Sequence, residues 1–411
     1  MTRAHLKSVH PVNLLSFGPK TEPIELLPLN ILIGPNGSGK SNFIEIVRLL
    51  HFLPDKDPWE VALNTGGVSE WIWKGAKGGD SGCSLRAKLS LSEINGKSVG
   101  AKPEYLDLSV ELEKYGPSFR VKREAIGTCG DSNHFDPLLS WFESSGSQGT
   151  VHLRMARAEE GPITLNLNMD RSILSQLSSP AVASEIGGNL PELFEMAEFF
   201  ESFDFHQDWE FGVDSPPRDP RPVGQSVARL EENAYNLAQM LANYRDRHKP
   251  VFEQLTDLVK RFYEPTKNVE VMVVGTHLQI AIEEKGGFST PATRLSDGML
   301  RWLSILCILL NPTPAPVTCI DEPEIGFHPD VIPTLADLLR EASTRTQLIV
   351  TTHSSALVDA FTDDPESICV CEKIEGSTVI RRLDRTDLEI WLKDYSLGNL
   401  WTSGEIGGNR W

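Results

Sequence analysis

The spacing of apolar positions changes repeatedly along the chain, and each change predicts a different kind of element. The opening VNLLSF (12–17) and the unbroken apolar run LNILI (29–33) read as strands, the second of the fully buried type. SNFIEIVRLL, starting at Ser41, shifts to helical spacing. Between about 84 and 170 the period falls to two. SLRAKLSLSEINGK, YLDLSVELEKYG, SFRVKREAI, VHLRMARAEEG and ITLNLNM are short runs separated by turn residues, which predicts antiparallel strands. Helical spacing returns from about 176 to 265 in PELFEMAEFFESF, ARLEENAYNLAQMLANYRDR and PVFEQLTDLVKRFY. The proline-rich DSPPRDPRPVGQ (214–225) can continue neither a helix nor a central strand, and is expected to be a surface linker. NVEVMVVG and HLQIAIEEKG return to strand patterning, and helices then alternate with buried strands. The prediction is an α/β protein in three parts: 1–175 with antiparallel strands, a helical insert over 176–268, and a second α/β part over 269–411.

Composition narrows the class. The 411 residues carry 39 Lys+Arg against 57 Asp+Glu, a formal charge of −18, which argues against unspecific coating of nucleic acid. Six cysteines in a chain of this size make no disulfide framework and have no zinc spacing. Cys369 and Cys371 are expected to share one face of a strand as reduced core thiols. MTRAHLKSVHPV lacks a signal-peptide core, and the apolar run WLSILCILL is too short to span a bilayer. A cytoplasmic protein is expected, with no membrane partner.

Chemistry concentrates at GPNGSGKSN, residues Gly34, Pro35, Asn36, Gly37, Ser38, Gly39, Lys40, Ser41 and Asn42. Gly34, four residues, then Gly39-Lys40-Ser41 is the phosphate-binding P-loop spacing, here between a buried strand and a helix. Glycines let successive N–H groups turn inward on an anion, Lys40 adds a charge for the β/γ-phosphates, and the Ser41 hydroxyl can ligate Mg²⁺. VTCIDEPE (317–324) is an apolar strand ending in adjacent carboxylates. Asp321 suits the metal, and Glu322 suits the water that attacks a γ-phosphate. TRLSDGMLRWLSILCILL (293–310) starts a long buried helix at Ser296 and Asp297, with Gly298 leaving its N-terminus open to an anion. QLIVTTHSSALVDAF (347–361) is a strand that ends before His353.

The motifs stand in an order that resembles ABC-type ATPases of the RecF/SMC-like branch, and more narrowly the stand-alone ATPases related to the OLD nuclease ATPase domain. LLSFGP, GPNGSGKSN, LSDGMLR, CIDEPEIGFHP, VTTHS and the tail DYSLGNLWTSGEIGGNRW carry the resemblance over nearly the whole length. LSDGM stands where transporters have LSGGQ, and EIGFHP (324–329) stands where the class has its D-loop. The long stretch between Ser41 and Leu295 sets the chain apart from transporter ATPases, and no heptads of a long coiled coil occupy it.

The resemblance implies an ATPase head, with lobe I over 1–175, the insert, and lobe II over 269–411, that uses ATP and Mg²⁺. Lys40 and Ser41 would hold phosphate and metal, Asp321 would complete the metal site, and Glu322 would polarise water. His353 would sense the γ-phosphate, while Ser296, Asp297 and Gly298 would act on the ATP of a second copy. Two heads would thus close on two ATPs, and the insert would pass the motion to a separate effector, a nuclease in bacterial anti-phage defence. The alternative is a RecF-like DNA-binding repair ATPase, for which Arg245, Arg247, Lys249, Lys260 and Arg261 are the basic candidates. Two departures from the family pattern stand out. No glutamine lies between Ser41 and Gln148, so the expected glutamine loop is sought at NTGGVSEWIWKG (64–75); and Asp297 replaces a glycine. Few residues follow His353, and the chain is not expected to cut nucleic acid itself. Its glycine-rich tail, with Leu400, Trp401 and Trp411, is expected to be flexible and to anchor the effector.

Overall fold

A run of consecutive apolar residues needs cover on both faces, and all five residues of LNILI are buried. In the computed structural model this run is the fourth strand of a mostly parallel sheet. The structure describes residues 4–55, 59, 66–75, 82–91, 105–116, 118–129, 135–143, 149–153, 163–165, 167–168, 170–177, 179, 182, 191–207, 209–224 and 227–408.

Three sheets organise the described residues. An antiparallel sheet is built from β1 (Ala4–Val12), β2 (Ile24–Glu25), β4 (Gly82–Leu91), β5 (Tyr105–Tyr115), β6 (Ser118–Cys129), β7 (Phe135–Glu143), β8 (Gly149–Leu153) and β9 (Ile163–Leu165), in the order β2-β1-β4-β5-β6-β7-β8-β9. The core sheet contains β3 (Leu29–Ile33), β10 (Asp204–His206), β15 (Val317–Asp321), β16 (Gln347–Thr351), β17 (Ile368–Ile374) and β18 (Ser377–Arg382). Its order is β10-β15-β16-β3-β17-β18, parallel except for the β17–β18 hairpin. A smaller sheet joins β11 (Arg221–Pro222), β12 (Thr266–Val274), β13 (His277–Glu284) and β14 (Ser289–Pro291).

Alternate residues of the core strands feed two separate apolar cores. Leu32, Val317, Cys319, Ile349, Cys369 and Cys371 face the P-loop helix (Lys40–Phe52), the antiparallel sheet and the helix Pro191–Glu201. Ile31, Ile33, Ile320, Leu348, Val350 and Val370 face the helices Leu237–Arg247, Lys249–Phe262, Asp297–Leu309 and Ile332–Ser343. Cys369 and Cys371 share a face as the alternation predicts, and both are buried free thiols. A polar latch joins the first two sheets: buried Gln347 accepts from Leu6 N at 3.0 Å and donates to Leu6 O at 2.8 Å and Leu27 O at 3.1 Å. It satisfies the backbone where the β1–β4 register shifts between Leu6 and Ser8.

Several expectations need correction. VNLLSF is a turn, not a strand: β1 ends at Val12, Asn13 and Leu15 have positive φ, and Leu14 pairs with Phe17 across the bend. Leu14 and Phe17 are fully buried, so the apolar run reflects packing rather than extension. β7 went unpredicted because Pro137 interrupts its pattern; the structure puts that proline beside a register shift with β6. ARLEENAYN is not α-helical: it holds only a 3-10 turn at Glu232–Ala234, and Asn233 and Ala234 take left-handed backbone ahead of the helix at Leu237. Asp204–His206, inside the stretch read as helical, is the edge strand of the core sheet. SEINGK (92–97) and the end of VHLRMARAEEG lie outside the described residues. No helix among the described residues is long and apolar enough to cross a membrane.

His206 gives the core sheet a pH dependence. It is 2% exposed, stacks on Trp209 at 5.9 Å, and burial, helped by Arg48, pushes its pKa down to about 3. The folded state therefore excludes a proton that the unfolded chain takes up below about pH 6.5. Stability is expected to fall as pH drops from 6.5 toward 3, by about 2 kcal/mol at pH 5 from this group. His206→Phe should remove that part of the loss, read as a smaller shift in urea midpoint between pH 7 and pH 5.

Candidate nucleotide site

Three loops leave the same edge of the core sheet, because parallel neighbours in register end side by side. Asp321 pairs with Thr351, and Thr351 with Leu32, so the carboxylate turn, the histidine loop and the P-loop emerge together.

The P-loop leaves β3 at Gly34, whose φ is +149°, and enters its helix at Gly39, whose φ is +106°. Space forbids a side chain at either position. A Cβ on Gly34 would stand 2.3 Å from Cys371 O, and one on Gly39 would stand 2.2 Å from Thr378 Oγ1. Thr378 is fully buried in β18 and secures the loop from below. Its hydroxyl meets Ser38 O at 2.9 Å and Ser16 Oγ at 2.7 Å, and its N–H donates to Ser16 O at 2.7 Å. Lys40 is 6% exposed and folds back to donate from Nζ to Gly34 O at 2.8 Å and Pro35 O at 3.3 Å. Burial lowers its pKa, against the raising influence of Cys371, Glu322 and Asp321. Asn36, Gly37 and Ser41 are exposed, and Pro35 and Asn42 are half-buried. Ser38 Oγ is buried and has no hydrogen-bond partner among the described residues.

Beside the P-loop, Asp321 accepts a hydrogen bond from Thr351 Oγ1. Glu322 has φ +45°, a backbone conformation uncommon outside glycine. Three hydrogen bonds hold that turn: Glu322 N to Thr351 O and to Thr351 Oγ1, each 3.1 Å, and Arg301 to Glu322 O at 3.1 Å. His353 Nε2 lies 3.3 Å from Glu322 Oε1. Arg301 reaches in from the signature helix (Asp297–Leu309), with its guanidinium 5.6 Å from the centres of both the Trp209 and Phe211 rings. Burial lowers its pKa, and Glu324 and Glu322 oppose that shift.

The signature motif is a separate, exposed feature. Ser296 caps its helix by accepting from Met299 N at 3.2 Å, and both Ser296 and Asp297 face solvent. Gly298 sits against the EIGFHP turn, where a Cβ would be 3.2 Å from Gly326 O. Arg218 sets the position of the loop. Only 6% exposed, it donates to the carbonyls of Phe211, Gly212, Ala292 and Leu295, and it pairs with Asp297. The segment 214–224 runs partly over the surface but is more than a linker, since it delivers the buried guanidinium that binds the signature loop. Asp297, the departure from the family pattern, is the exposed end of that ion pair.

Other residues take places that sequence reading missed. Trp71 to Trp73 lie against the 13–18 turn, with Trp73 N donating to Asn13 O at 3.1 Å, and no glutamine stands there. Gln207 follows β10, next to the carboxylate strand, and accepts from Arg48 at 2.9 Å. A three-residue strand is too short for periodicity to reveal. Among the basic candidates, Arg245 pairs with Asp246 at 2.7 Å, Lys249 with Glu253 at 3.8 Å and Lys260 with Asp257 at 2.9 Å, a solvated face rather than a bare groove.

Through Gly408 the tail is folded against the head rather than free of it. Its helix Leu397–Ser403 is tied to Asp359 through Gly398 N at 2.6 Å, and Trp401 is 8% exposed with Nε1 donating to Gly408 O at 2.9 Å. Gly408 N donates to Glu372 Oε1 at 3.0 Å, and a Cβ there would stand 3.6 Å from Gly34 Cα. The chain therefore runs back against the start of the P-loop. Trp411 lies outside the described residues.

A P-loop, carboxylate strand, signature helix and histidine loop stand together on one mixed α/β scaffold, as in an AAA-type ATPase domain. The profile of the family described as "AAA domain, putative AbiEii toxin, Type IV TA system" matches residues 29–89 and 131–359, and the chain belongs to that family. Solved SMC heads share the fold. One, bound to the C-winged helix domain of ScpA, matches with TM-score 0.52 at 13% identity, over 93% of this chain and 99% of that one. An SMC head with an extended coiled coil, bound to the C-terminal domain of ScpA from Pyrococcus furiosus, gives 0.50 at 13% identity, over 95% and 99%. A head with coiled coil and joint from Pyrococcus yayanosii gives 0.50 at 11% identity, over 95% and 99%. No curated protein sequence matches the chain.

Since the tail buttresses Gly34, deleting residues 396–411 is expected to abolish tight ATP binding rather than spare activity. Trp401→Ala alone should cost about 3 kcal/mol of stability through the cavity it leaves. Denaturant unfolding and titration with a fluorescent ATP analogue measure the two effects.

Proposed function

We propose that the chain is an ATP-driven switch in which two heads close on two ATPs and act on a separate effector protein. The observation that carries this reading is the signature N-terminus. It is exposed, held firmly by Arg218, and has capping and packing contacts within its own lobe, so it is free to cover the nucleotide of another copy. The likeness to heads solved with a bound ScpA domain supports a protein partner, and the family description supports a role in bacterial conflict systems. A nuclease effector in anti-phage defence is the specific form we favour.

The residues present fit MgATP. Gly34 and Gly39 let the loop seat tightly against β17 and β18, where a Cβ would clash, its Ser38 hydroxyl lacks a partner among the described residues, and Ser41 and Asp321 offer oxygen ligands suited to Mg²⁺. Bound Mg²⁺ would neutralise charge on the phosphate oxygens. Lys40 would exchange the Gly34 and Pro35 carbonyls for phosphate oxygens, so the resting loop already holds the ammonium where charge is needed. Glu322 would accept the proton of the attacking water, with its carboxylate oriented by His353 and its backbone by Thr351 and Arg301. Gln207, at the end of β10, would watch the same edge from the outer strand. The three-part division, 1–175, 176–268 and 269–411, remains our proposal for the lobes, with β10 contributed by the middle part to the core sheet.

Glu322→Gln keeps the shape of the side chain but removes the base. It should lower the turnover rate by about 10²–10⁴-fold while ATP still binds, leaving a nucleotide-bound dimer visible by light scattering. Lys40→Ala should instead weaken ATP binding by about 2 kcal/mol, read by calorimetry. Wild-type turnover in Glu322→Gln would remove the assignment of the base.

A composite site makes a further prediction. Mixing Lys40→Ala with Ser296→Arg subunits should restore part of the activity that each lacks alone, because one intact site forms per mixed dimer. No recovery in subunits shown to mix would place the whole site within one chain.

A further inference from the structure

The third acid of CIDEPE, Glu324, has no part in the chemistry above, and its surroundings are unusual. Glu324 is 8% exposed, three residues past the metal-side carboxylate, at the start of the EIGFHP turn. One of its oxygens, Oε1, accepts from Thr352 Oγ1 and from His353 N, the latter at 3.2 Å. The other, Oε2, is buried with no hydrogen-bond partner among the described residues. Burial raises its pKa above the ordinary glutamate value, against the hydrogen bonds from Thr352 and His353. Keeping a carboxyl in such a place is unfavourable unless its contacts do something an apolar residue cannot.

We infer that Glu324 is the positioning residue of the histidine loop, fixing Thr352 and His353 so that the imidazole meets Glu322. Thr352 N is tied to Leu32 O at 3.1 Å and Ser354 N to Thr352 Oγ1 at 2.9 Å, while the N–H of His353 donates to Glu324 at 3.2 Å. With that N–H held, His353 Nε2 reaches Glu322 Oε1 at 3.3 Å. Glu324 also sits two residues before Gly326, the carbonyl on which signature Gly298 rests. One carboxyl thus links the turn beneath the signature helix to the loop that orients the catalytic base. Glu324 is thus assigned to act through Thr352 and His353, which it holds, rather than on the reacting atoms.

The inference rests on the ATP-hydrolysis reading, and the test separates the two. Steady-state ATPase and ATP affinity are measured on full-length wild type, Glu324→Ala, Glu324→Gln, Thr352→Val, His353→Ala and the double variant Glu324→Ala/His353→Ala. Glu324→Ala is expected to lower kcat about 30-fold and leave ATP affinity within about threefold, because the base is misplaced while the P-loop is untouched. Glu324→Gln keeps an acceptor oxygen for His353 N and should recover kcat to within about threefold of wild type. Thr352→Val removes the donor to Glu324 and the acceptor for Ser354 N but leaves the His353 N–H bond to Glu324, and should give a smaller kcat loss even if Glu324→Ala fails to fold. The double variant should be no slower than His353→Ala alone, since residues acting as one unit are not additive. Wild-type kcat in Glu324→Ala, losses that multiply in the double variant, or a Glu324→Gln as slow as Glu324→Ala would each overturn the inference. No hydrolysis by wild type would instead sink the ATPase reading beneath it.

Discussion

The pairing of β15, β16 and β3 in parallel register is the constraint on which the site depends. Asp321 lies opposite Thr351 and Thr351 opposite Leu32, so three loops distant in sequence begin at one level. A slip of one residue would turn every buried side chain of a strand to the wrong core and carry its loop out of line. Both faces of the sheet are packed, Ile349 into one core and Leu348 and Val350 into the other, which makes such a slip expensive. Apolar packing on two sides therefore sets the distances among groups that are themselves polar.

Around that edge, buried polar contacts convert backbone loops into fixed geometry. Thr378 clamps the underside of the P-loop, Arg218 gathers four carbonyls and Asp297, and Gln347 joins the antiparallel sheet to the core sheet. In an environment of low polarity each such bond is strong, and leaving any of its partners unmet is costly. The described parts of two flexible-looking sequences, the proline-rich stretch and the glycine-rich tail through Gly408, are consequently tied into the head. What remains exposed is the signature N-terminus and the outer rim of the P-loop, the surfaces that a closing partner would need.

The candidate site was legible to the extent that its chemistry is local. GPNGSGKS, the carboxylate pair after VTCI, the LSDGM helix start and the histidine after QLIVTT are each short stretches whose residue types already state a task. The α/β alternation and the antiparallel runs were legible for the same reason, since period is a property of neighbours. Cys369 and Cys371 on one strand face follow from a two-residue repeat alone.

Other features depended on residues that meet only in three dimensions. Leu14 and Phe17 look like a strand because they are buried, and only the contacts of the fold make them a turn. Thr378 and Ser16 are 362 residues apart and join beneath the P-loop; nothing in either neighbourhood announces it. Gln207 comes beside the carboxylate strand because β10 pairs with β15, and the tail becomes a buttress because Gly408 fits against Gly34. The sequence by itself determined which groups could bind phosphate, hold a metal or take a proton, since these are properties of single side chains and short spacings. Tertiary structure decided which groups stand together, because long-range packing and the satisfaction of buried hydrogen bonds have no periodic trace along the chain.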